Sequence, residues 1–478
     1  MTRLIVGPFN RVEGDLEIRL EIKDGRVQEA FVTAPLFRDF EHLMEGRFPL
    51  DALVIAPRIC GICSVAQSAA SALALADSAR LVMPPNGRAA FNLLQALENA
   101  ADHLVHFSLF FMPDFARRFY EGRPWHEKAV ARFKAQQGEM ARRAAAARTR
   151  LFAAIGLLAG KWPHTLALQP GGTTKPIDQS ERIRLMEIVG EFRRFLESEI
   201  FAANLERVAA LATQSELAEL KRGDFGLFLS IADDLDLWRL GRSPAPLMSC
   251  GAFPGLEGEA HLFASGLWRN GAREALDLAR ISEDVSRAWL QGGQPLHPSR
   301  GTSQPEADKP DGYSWSKAPR LDGRPVEVGA LARQVLAGQP LVRAMFAEFG
   351  STVATRVAAR LIELARLTVQ MEIWVGALDP RQPFCVPFAA IDGGQGVGLA
   401  EAARGSLGHW LSIERGKISR YQVIAPTTWN FSPRDGQSLP GPVEAALVGT
   451  KVEAGEASPL AVQHVVRSFD PCMACTVH

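Results

Sequence analysis

The stretch Arg58-Ile59-Cys60-Gly61-Ile62-Cys63 has a counterpart near the other end of the chain, Asp470-Pro471-Cys472-Met473-Ala474-Cys475. Two thiolates separated by two residues can face one metal ion, and four together suit zinc, an iron-sulfur cluster or another thiophilic metal. A site built from both pairs requires a fold that brings the two ends of the chain together. The cysteine pairs therefore predict that the two ends of the chain lie close together, which is the main constraint on this fold.

Two other interpretations of the cysteine pairs stay open on these residues alone. A structural zinc ion is the commoner fate of four such cysteines, although its pairs are generally close in sequence. Two separate redox dithiols are the second alternative, but neither pair has thioredoxin-like strand-to-helix surroundings. The first pair precedes an Ala-rich helix predicted at residues 66–79, whose N-terminal dipole favours thiolate. The remaining cysteines, Cys250 and Cys385, are predicted to be buried packing residues.

Beyond the first cysteine pair, the sequence is helical in pattern from residue 66 to about residue 377. Apolar residues recur at intervals of three and four, as in Leu185, Ile188, Val189 and Phe192. Such helices bury one face each, so we expect them to pack side by side as a bundle. The long segments are predicted at residues 91–110, 129–158, 181–213 and 356–376.

Strand-like alternation appears near both ends of the chain. Residues 4–34 predict a hairpin that turns at Lys23-Asp24-Gly25, and residues 413–424 predict another around Arg415-Gly416. Residues 294–325 are rich in Gly, Pro and Ser and predict a long surface loop. The predicted fold class is α+β and mainly α, with a long-helix bundle core and small antiparallel sheets near the N- and C-terminal parts. We expect one domain over residues 1–478, with a β hairpin region (1–50), a helical bundle (60–380) and a C-terminal β and metal-binding segment (400–478).

The composition is that of an ordinary soluble globular protein. Of 478 residues, 47% are hydrophobic and 22% are charged, and 53 basic residues balance 53 acidic ones. A chain without excess positive charge lacks the field that nucleic-acid binding needs. No apolar run has the length of a membrane span, and the N-terminus lacks a signal-peptide pattern. We therefore expect no nucleic-acid partner, no direct membrane insertion and a cytoplasmic location.

Further motifs accompany the cysteine pairs in one order along the whole chain. They are Arg11-Val12-Glu13-Gly14, Phe40-Glu41, Asp102-His103-Leu104-Val105-His106-Phe107, Tyr313-Ser314-Trp315, Lys317-Ala318-Pro319-Arg320, Arg404-Gly405-Ser406-Leu407-Gly408-His409-Trp410, Pro426-Thr427-Thr428-Trp429-Asn430 and the terminal Thr476-Val477-His478. Together with the cysteines they closely resemble the large subunit of nickel-iron hydrogenases. The resemblance implies an oxidoreductase that cleaves H2 heterolytically to protons and electrons.

The resemblance implies a role for each of the four cysteines. Cys60 and Cys472 would be terminal nickel ligands. Cys63 and Cys475 would bridge nickel to an iron that carries one carbon monoxide and two cyanides. Soft thiolates suit nickel, so the chemistry of the residues agrees with the implied assignment.

The resemblance also implies the groups that handle the proton. The Cys472 thiolate would accept it first, and Glu13 would relay it outward, although a single Glu on a strand is more often only a surface residue. Arg404 would lie over the metals and polarise H2, held there by Asp102 and Asp470. Because an arginine is effectively always charged, the thiolate is the better base.

Two further sites follow from the same resemblance. Pro426 and Thr427 would shelter the cyanides, with the Thr427 hydroxyl as a hydrogen-bond donor; otherwise they form only a turn. Glu41 and His478 would bind a buried magnesium ion, with the backbone carbonyl of Val423 as a third ligand. A histidine is an unusual ligand for magnesium, which prefers oxygen.

Several residues depart from the usual family pattern. Ala403 replaces a proline before the arginine, Asp15 stands where histidine is common, and Gln67 replaces a histidine that hydrogen-bonds the bridging sulfur. Ile62 and Phe110 stand where smaller residues are typical, at positions that resemble the inner mouth of the gas tunnel. Bulk there would discriminate against O2, so we expect oxygen tolerance. The same substitutions resemble the regulatory, H2-sensing class.

The sequence therefore predicts the large subunit of a regulatory nickel-iron hydrogenase of low turnover. The expected cofactors are nickel, iron with its carbon monoxide and cyanide ligands, and magnesium. An iron-sulfur small subunit is required, because the chain has no cysteines left for clusters. Hydrogenase maturation proteins are expected partners, and a histidine kinase would receive the signal. The alternatives are an energy-yielding uptake hydrogenase and, more remotely, a structural homologue without the metals.

Overall fold

The computed structural model describes residues 2–389, 391–453 and 455–476. The chain begins with an antiparallel sheet in which Glu17–Lys23 lies between Thr2–Val6 and Arg26–Thr33. Alternation explains this sheet, since Ile18 and Leu20 point into the core and are fully buried. The predicted hairpin turns at Asp24 and Gly25, both with positive φ.

Long helices form the core of the molecule, as the apolar spacing predicts. Val353–Ala377 lies at the centre and packs against Pro85–Val105 and Gln179–Phe195. Its first turn is fixed by a capping box in which the Thr352 side chain accepts a hydrogen bond from the Thr355 N–H. The other long helices are Ser64–Ser78 and Glu139–Ala159. Shorter helices surround them: Phe40–Met44, Ala52–Ile55, His126–Phe133, Leu205–Ala209, Gln214–Ala218, Gly223–Asp234, Ala330–Leu336, Pro340–Phe349, Pro426–Asn430, Pro442–Leu447 and Leu460–Ser468.

Two of the predicted long helices are interrupted. The segment at 129–158 is divided between His126–Phe133 and Glu139–Ala159, because the chain turns tightly at Gly138, where a Cβ would lie 2.6 Å from a backbone oxygen. The segment at 181–213 continues from its α-helix into a π-helix, Leu196–Phe201, and stops at Ala202 in the left-handed region. Apolar spacing alone does not reveal such breaks.

The predicted helical region at 60–380 also contains strands. A small antiparallel sheet joins Leu247–Ser249, Gly266–Arg269 and Ala272–Glu274, and Ile281–Asp284 pairs with Ala318–Leu321. Leu168–Gln169 pairs with Gly172–Thr173. These strands have two to four residues each, too few for a period of two to be recognised in the sequence.

Two smaller expectations are corrected. The predicted surface loop at 294–325 ends in the buried strand Ala318–Leu321, and Lys317 before it is buried too. Cys250 and Cys385 are partly exposed rather than buried. Cys250 follows a short strand, and Cys385 lies in a loop that bridges to Gly172, so neither is in the centre of a helix or sheet.

The C-terminal sheet explains how distant parts of the chain meet. Gly405–Glu414 lies between Gly394–Ala402 and Lys417–Ile424, which includes the predicted second hairpin. The strand Gly394–Ala402 packs very closely on the helix Ser64–Ser78. A Cβ at Gly396 would lie 2.0 Å from a helix carbonyl oxygen, and a Cβ at Gly398 would lie 1.8 Å from another. Glycines facing an alanine-rich helix therefore fix the sheet beside the first cysteine pair.

The architecture agrees with the predicted class, a mainly helical α+β fold with small antiparallel sheets near both ends. Among the helices of the described ranges, none has the length and apolar character that crossing a bilayer requires.

Candidate metal centre

Both cysteine pairs meet in the interior, as the sequence requires for a four-sulfur site. The Sγ atoms of Cys60 and Cys472 are 3.3 Å apart, and those of Cys63 and Cys475 are 3.2 Å apart. Cys472 and Cys475 are 3.1 Å apart, and all four sulfurs lie within 4.8 Å of one another. The four side chains are buried free thiols. The alternative of two separate redox dithiols does not agree with this single four-sulfur cluster.

Local structure at each pair explains this convergence. Cys63 immediately precedes the helix Ser64–Ser78, whose first N–H groups are capped by Glu98: its carboxylate accepts from Val65 N–H at 2.9 Å and from Ala66 N–H at 3.0 Å. Cys475 closes the short 3-10 helix Met473–Cys475. One pair is thus fixed by the start of a long helix and the other by a single tight turn.

The donor set fits a thiophilic metal pair. Hydrogen bonds from the neighbouring thiols, Cys472 first, lower the pKa of Cys60, whereas the bond with Cys472 raises the pKa of Cys63. Four thiols packed this closely cannot all ionise without a nearby cation, since like charges oppose one another. Metal ions supply that charge, and thiolates are ligands that nickel and iron accept.

Arg404 lies beside the sulfurs and is anchored on both sides. Its guanidinium donates to Asp102 Oδ2 and to Asp470 Oδ1, each at 3.1 Å, as the resemblance implies. Burial alone would lower the pKa of Arg404, but Asp470 and Asp102 raise it well above its usual value. Arg404 therefore stays charged and cannot act as the base. Burial raises the pKa of Asp102 to about 7 in spite of Arg404.

Glu13 reaches the centre through the backbone. It forms a parallel bridge with Cys472, and its carbonyl accepts from Met473 N–H at 2.7 Å. Gly14 permits the approach, since a Cβ there would lie 2.9 Å from Ala474 N. Burial, and then the negative charge of Cys60, raise the pKa of the Glu13 carboxyl. A half-buried carboxyl group with a raised pKa beside a cysteine can take up and release a proton.

Thr427 contacts the second cysteine pair directly. Its hydroxyl accepts a hydrogen bond from the Cys472 N–H at 3.1 Å, and Thr427 and Pro426 are buried in the first turn of Pro426–Asn430. Because the oxygen accepts this bond, the hydroxyl hydrogen remains free to donate to a small ligand. This arrangement is compatible with the donor role that the resemblance implies.

The expected magnesium site contains a buried cluster of two carboxyl groups and one ammonium group, those of Glu41, Glu283 and Lys317. Glu41 Oε1 accepts from the Val423 N–H at 2.8 Å, and its Oε2 accepts from Lys317 Nζ at 2.9 Å. Glu283 lies 3.5 Å from the same ammonium, and neither of its oxygens has a hydrogen-bond partner among the described residues. Carboxylate oxygens such as these are the ligand type that magnesium prefers. His478 lies outside the described residues.

Sequence reasoning missed two members of that cluster. Lys317 belongs to the motif Lys317-Ala318-Pro319-Arg320, but nothing in that motif indicates its contact with Glu41. Glu283 lies in a short strand, and nothing in the sequence distinguishes it from other glutamates. Burial raises the pKa of Glu283 to about 7.

The residues that depart from the family pattern differ in their surroundings. Gln67 is buried and follows Cys63 by one helical turn, and its Oε1 accepts a hydrogen bond from His409 Nε2 at 2.8 Å. Ile62, between the two metal-facing cysteines, is partly buried against the core. Phe110 is partly exposed in the π-helix His106–Phe111, and Ala403 is buried. Asp15 is exposed.

Comparison with known proteins identifies the family. The sequence profile described as "Nickel-dependent hydrogenase" matches residues 38–117 and 143–478, which is most of the chain. The chain belongs to the nickel-dependent hydrogenase family. As a member of this family it is an enzyme, a hydrogenase large subunit, and nickel is the metal that its cysteine cluster fits.

Individual hydrogenases agree over the full length. The chain is 30% identical to the periplasmic [NiFeSe] hydrogenase large subunit of Desulfomicrobium baculatum, covering 100% of this chain and 95% of that one. It is 27% identical to the hydrogenase-2 large chain of Escherichia coli strain K12, with 100% and 97% covered. The H2-activated Desulfomicrobium baculatum [NiFeSe] hydrogenase structure has a TM-score of 0.86 at 28% identity, and 100% of both chains is covered.

Proposed function

We propose that this hydrogenase subunit cleaves H2 heterolytically at a nickel-iron pair held by its four cysteines, and that it is of the regulatory, H2-sensing type. The observation that carries the proposal is the packing of four buried sulfurs beside the charged Arg404. A sensor needs only slow turnover, because its output is a signal rather than an electron flux.

The metal pair, when bound, supplies the electron-accepting centre at which the H–H bond is polarised. Cys60 and Cys472 would bind nickel alone, and Cys63 and Cys475 would bridge to iron. Arg404 holds a fixed positive charge beside the cysteines, because Asp102 and Asp470 bind both sides of its guanidinium group.

The proton leaves through this chain's own groups. By the resemblance, Cys472 Sγ would accept it and the Glu13 carboxyl group would receive it next; the backbone bridge between the two residues supports this order. Outside the cluster, Pro426 and the Thr427 hydroxyl would surround the cyanide and carbon monoxide ligands of the iron. Glu41, the Val423 carbonyl and His478 would hold magnesium near the C-terminal end.

Oxygen tolerance is proposed from Ile62 and Phe110. By the resemblance, Ile62 and Phe110 would lie at the inner mouth of the gas tunnel, where their bulk would hinder O2; Ile62 stands between two ligand cysteines in the sequence and packs against the core. Gln67 lies one turn after Cys63, and its amide Nε2 has no hydrogen-bond partner among the described residues. This amide group can therefore donate a hydrogen bond to a group at the metal centre. These features support the sensor assignment over a high-flux enzyme.

Partners follow from the same proposal. The chain has six cysteines, four of them in the centre, so electrons must leave through an iron-sulfur small subunit. Its docking face would lie beside the first cysteine pair, where Phe48, Leu50 and Val54 expose apolar side chains. A histidine kinase would receive the signal, and hydrogenase maturation proteins would be further partners. The proposed location is the cytoplasm.

The second candidate is an energy-yielding uptake hydrogenase. It is favoured by the likeness to the uptake hydrogenase large subunit of Rhodobacter capsulatus, which is 26% identical over the full chain. The two candidates differ in rate, since an uptake enzyme must sustain an electron flux.

Turnover and oxygen response of the purified holoenzyme test the proposal. We expect slow H2 oxidation that persists in air, and we expect the Ile62→Val, Phe110→Leu double variant to lose activity on exposure to O2. The Ile373→Val variant is the matched control, because Ile373 is exposed near the C-terminal end of the helix Val353–Ala377. Fast turnover would favour the uptake enzyme, and unchanged tolerance in the double variant would refute the tunnel argument.

A further inference from the structure

Asp114 is a fully buried carboxylate outside the cysteine cluster, and it binds arginines from both ends of the chain. Its Oδ1 accepts a hydrogen bond from Arg11 and forms an ion pair with Arg117 at 2.8 Å. Its Oδ2 accepts from Arg467. Asp114 belongs to the 3-10 helix Met112–Ala116, which continues the helix and π-helix that carry Asp102.

Arg467 links this carboxylate to the N-terminal segment a second time. Its NH2 group donates to the Asn10 carbonyl oxygen at 3.0 Å and to Asn10 Oδ1 at 2.8 Å. The Arg467 carbonyl oxygen accepts from His106 Nε2 at 2.7 Å, so its backbone is fixed as well. The ion pair between Arg467 and Asp114 therefore fixes Arg467, and the hydrogen bonds from Arg467 fix Asn10 beside it.

These contacts flank the point where Glu13 meets Cys472. Asn10 and Arg11 precede Glu13 by three and two residues, and Arg467 precedes Cys472 by five. Arg11 has φ +55°, a backbone conformation that a non-glycine residue adopts only when its surroundings hold it. The ion pair with Asp114 supplies that restraint.

We propose that Asp114 is a positioning residue for proton transfer, which holds Glu13 in reach of Cys472 by fixing Arg11 and Arg467. The inference rests on the proposed relay role of Glu13. Burial alone would raise the pKa of Asp114, but Arg467, His464 and Arg11 hold it below its usual value, so the carboxylate is charged. Without that charge, buried guanidinium groups would repel one another and release the Asn10–Glu13 segment.

The exchange of D2 with solvent protons, measured on the purified holoenzyme per bound nickel, tests this role. We expect Asp114→Asn to lower the exchange rate by about 10- to 100-fold, as small displacements of reacting groups do. Nickel content and the infrared bands of the diatomic ligands should stay unchanged. Asp224→Asn is the matched control, because Asp224 is another buried partner of an arginine, Arg132, and lies outside this network.

A double variant separates positioning from general damage. If Asp114 acts through Glu13, Asp114→Asn added to Glu13→Gln causes no further loss of exchange, whereas independent damage would multiply the two losses. Full exchange in Asp114→Asn while Glu13→Gln is impaired would overturn this inference alone. Full exchange in Glu13→Gln would overturn the proposed relay itself.

Arg11 gives a second route if Asp114→Asn fails to bind nickel. Arg11→Gln removes one arm of the ion pair at a partly exposed position, and Arg11→Lys keeps its charge. We expect lowered exchange in Arg11→Gln and partial rescue in Arg11→Lys. Wild-type exchange in Arg11→Gln would contradict the proposal.

Discussion

Individual residues determine how charge is distributed at the centre. Arg404 contributes a buried positive charge beside sulfurs, and it is tolerated there because Asp102 and Asp470 each contact a different nitrogen of the guanidinium. Glu13 is different, since burial and the neighbouring Cys60 raise the pKa of its carboxyl group. Arg404 thus stays charged, whereas Glu13 can change its protonation state.

Replacing Glu13 tests the relay at this scale. Glu13→Gln keeps the size and the backbone bridge to Cys472 but cannot carry a proton, so we expect H2 oxidation to fall by about 100-fold or more. Glu13→Asp retains a carboxyl group and should keep a measurable part of the rate. Glu29→Gln, an exposed glutamate on the strand Arg26–Thr33, is the control. Equal rates in wild type and Glu13→Gln would show that protons leave by another route.

At the scale of elements, the close packing of a strand on a helix places the cysteine pairs. Gly396 and Gly398 of the strand Gly394–Ala402 face carbonyl oxygens of the helix Ser64–Ser78. The helix start presents Cys63, and the strand continues through Ala402 towards Arg404. A methyl group added at Gly396 or Gly398 would therefore push this strand away from the helix, and each of the two elements carries part of the site.

Gly398→Ala tests that packing. A Cβ at this position would lie 1.8 Å from the Ala70 carbonyl oxygen, so backbone must move. We expect the free energy of unfolding to fall by about 1–3 kcal/mol or more, and nickel content to fall with it. Urea unfolding followed by circular dichroism measures the first quantity. Gly156→Ala is the control, because no described atom lies within 4 Å of its Cβ and helix propensity should rise.

A buried carboxyl group couples two other elements to pH. Glu444 in the helix Pro442–Leu447 accepts hydrogen bonds from Val32 N–H in the first sheet and from the Tyr313 hydroxyl, both at 2.9 Å. Burial raises its pKa from 4.5 to about 7. The folded state therefore binds the proton more tightly than the unfolded state, and this group's contribution to stability is lost as pH rises from about 5 to above 7.

Glu444→Gln removes this dependence, because the amide stays neutral at every pH. We expect the stability of wild type relative to Glu444→Gln to decrease between pH 5 and pH 8 by about 1–3 kcal/mol. Urea unfolding at intervals across this range measures the difference. Glu216→Gln, on an exposed helix start, should show no decrease of this kind. A difference that stays constant would mean that Glu444 is ionised throughout the range.

For the whole molecule, the sequence predicts the helical core and the end-to-end contact well. Strict spacing defines helices such as Val353–Ala377, and the cysteine pairs require the termini to meet. The short strands between residues 240 and 325 could not be predicted, since two to four residues carry no readable period. The same holds for Asp114, whose partner Arg467 is 353 residues away along the chain, and for Glu283, which meets Lys317 only in the folded molecule.

Metal and infrared analysis of one purified sample tests the central claim most directly. If four cysteines from the two ends of the chain hold a nickel-iron pair, the protein contains nickel and iron in equal amounts in this subunit, and its infrared spectrum has bands from bound carbon monoxide and cyanide. Replacing Cys472 by serine should remove both the nickel and the bands. A sample that contains zinc in place of nickel and has no such bands would contradict the account.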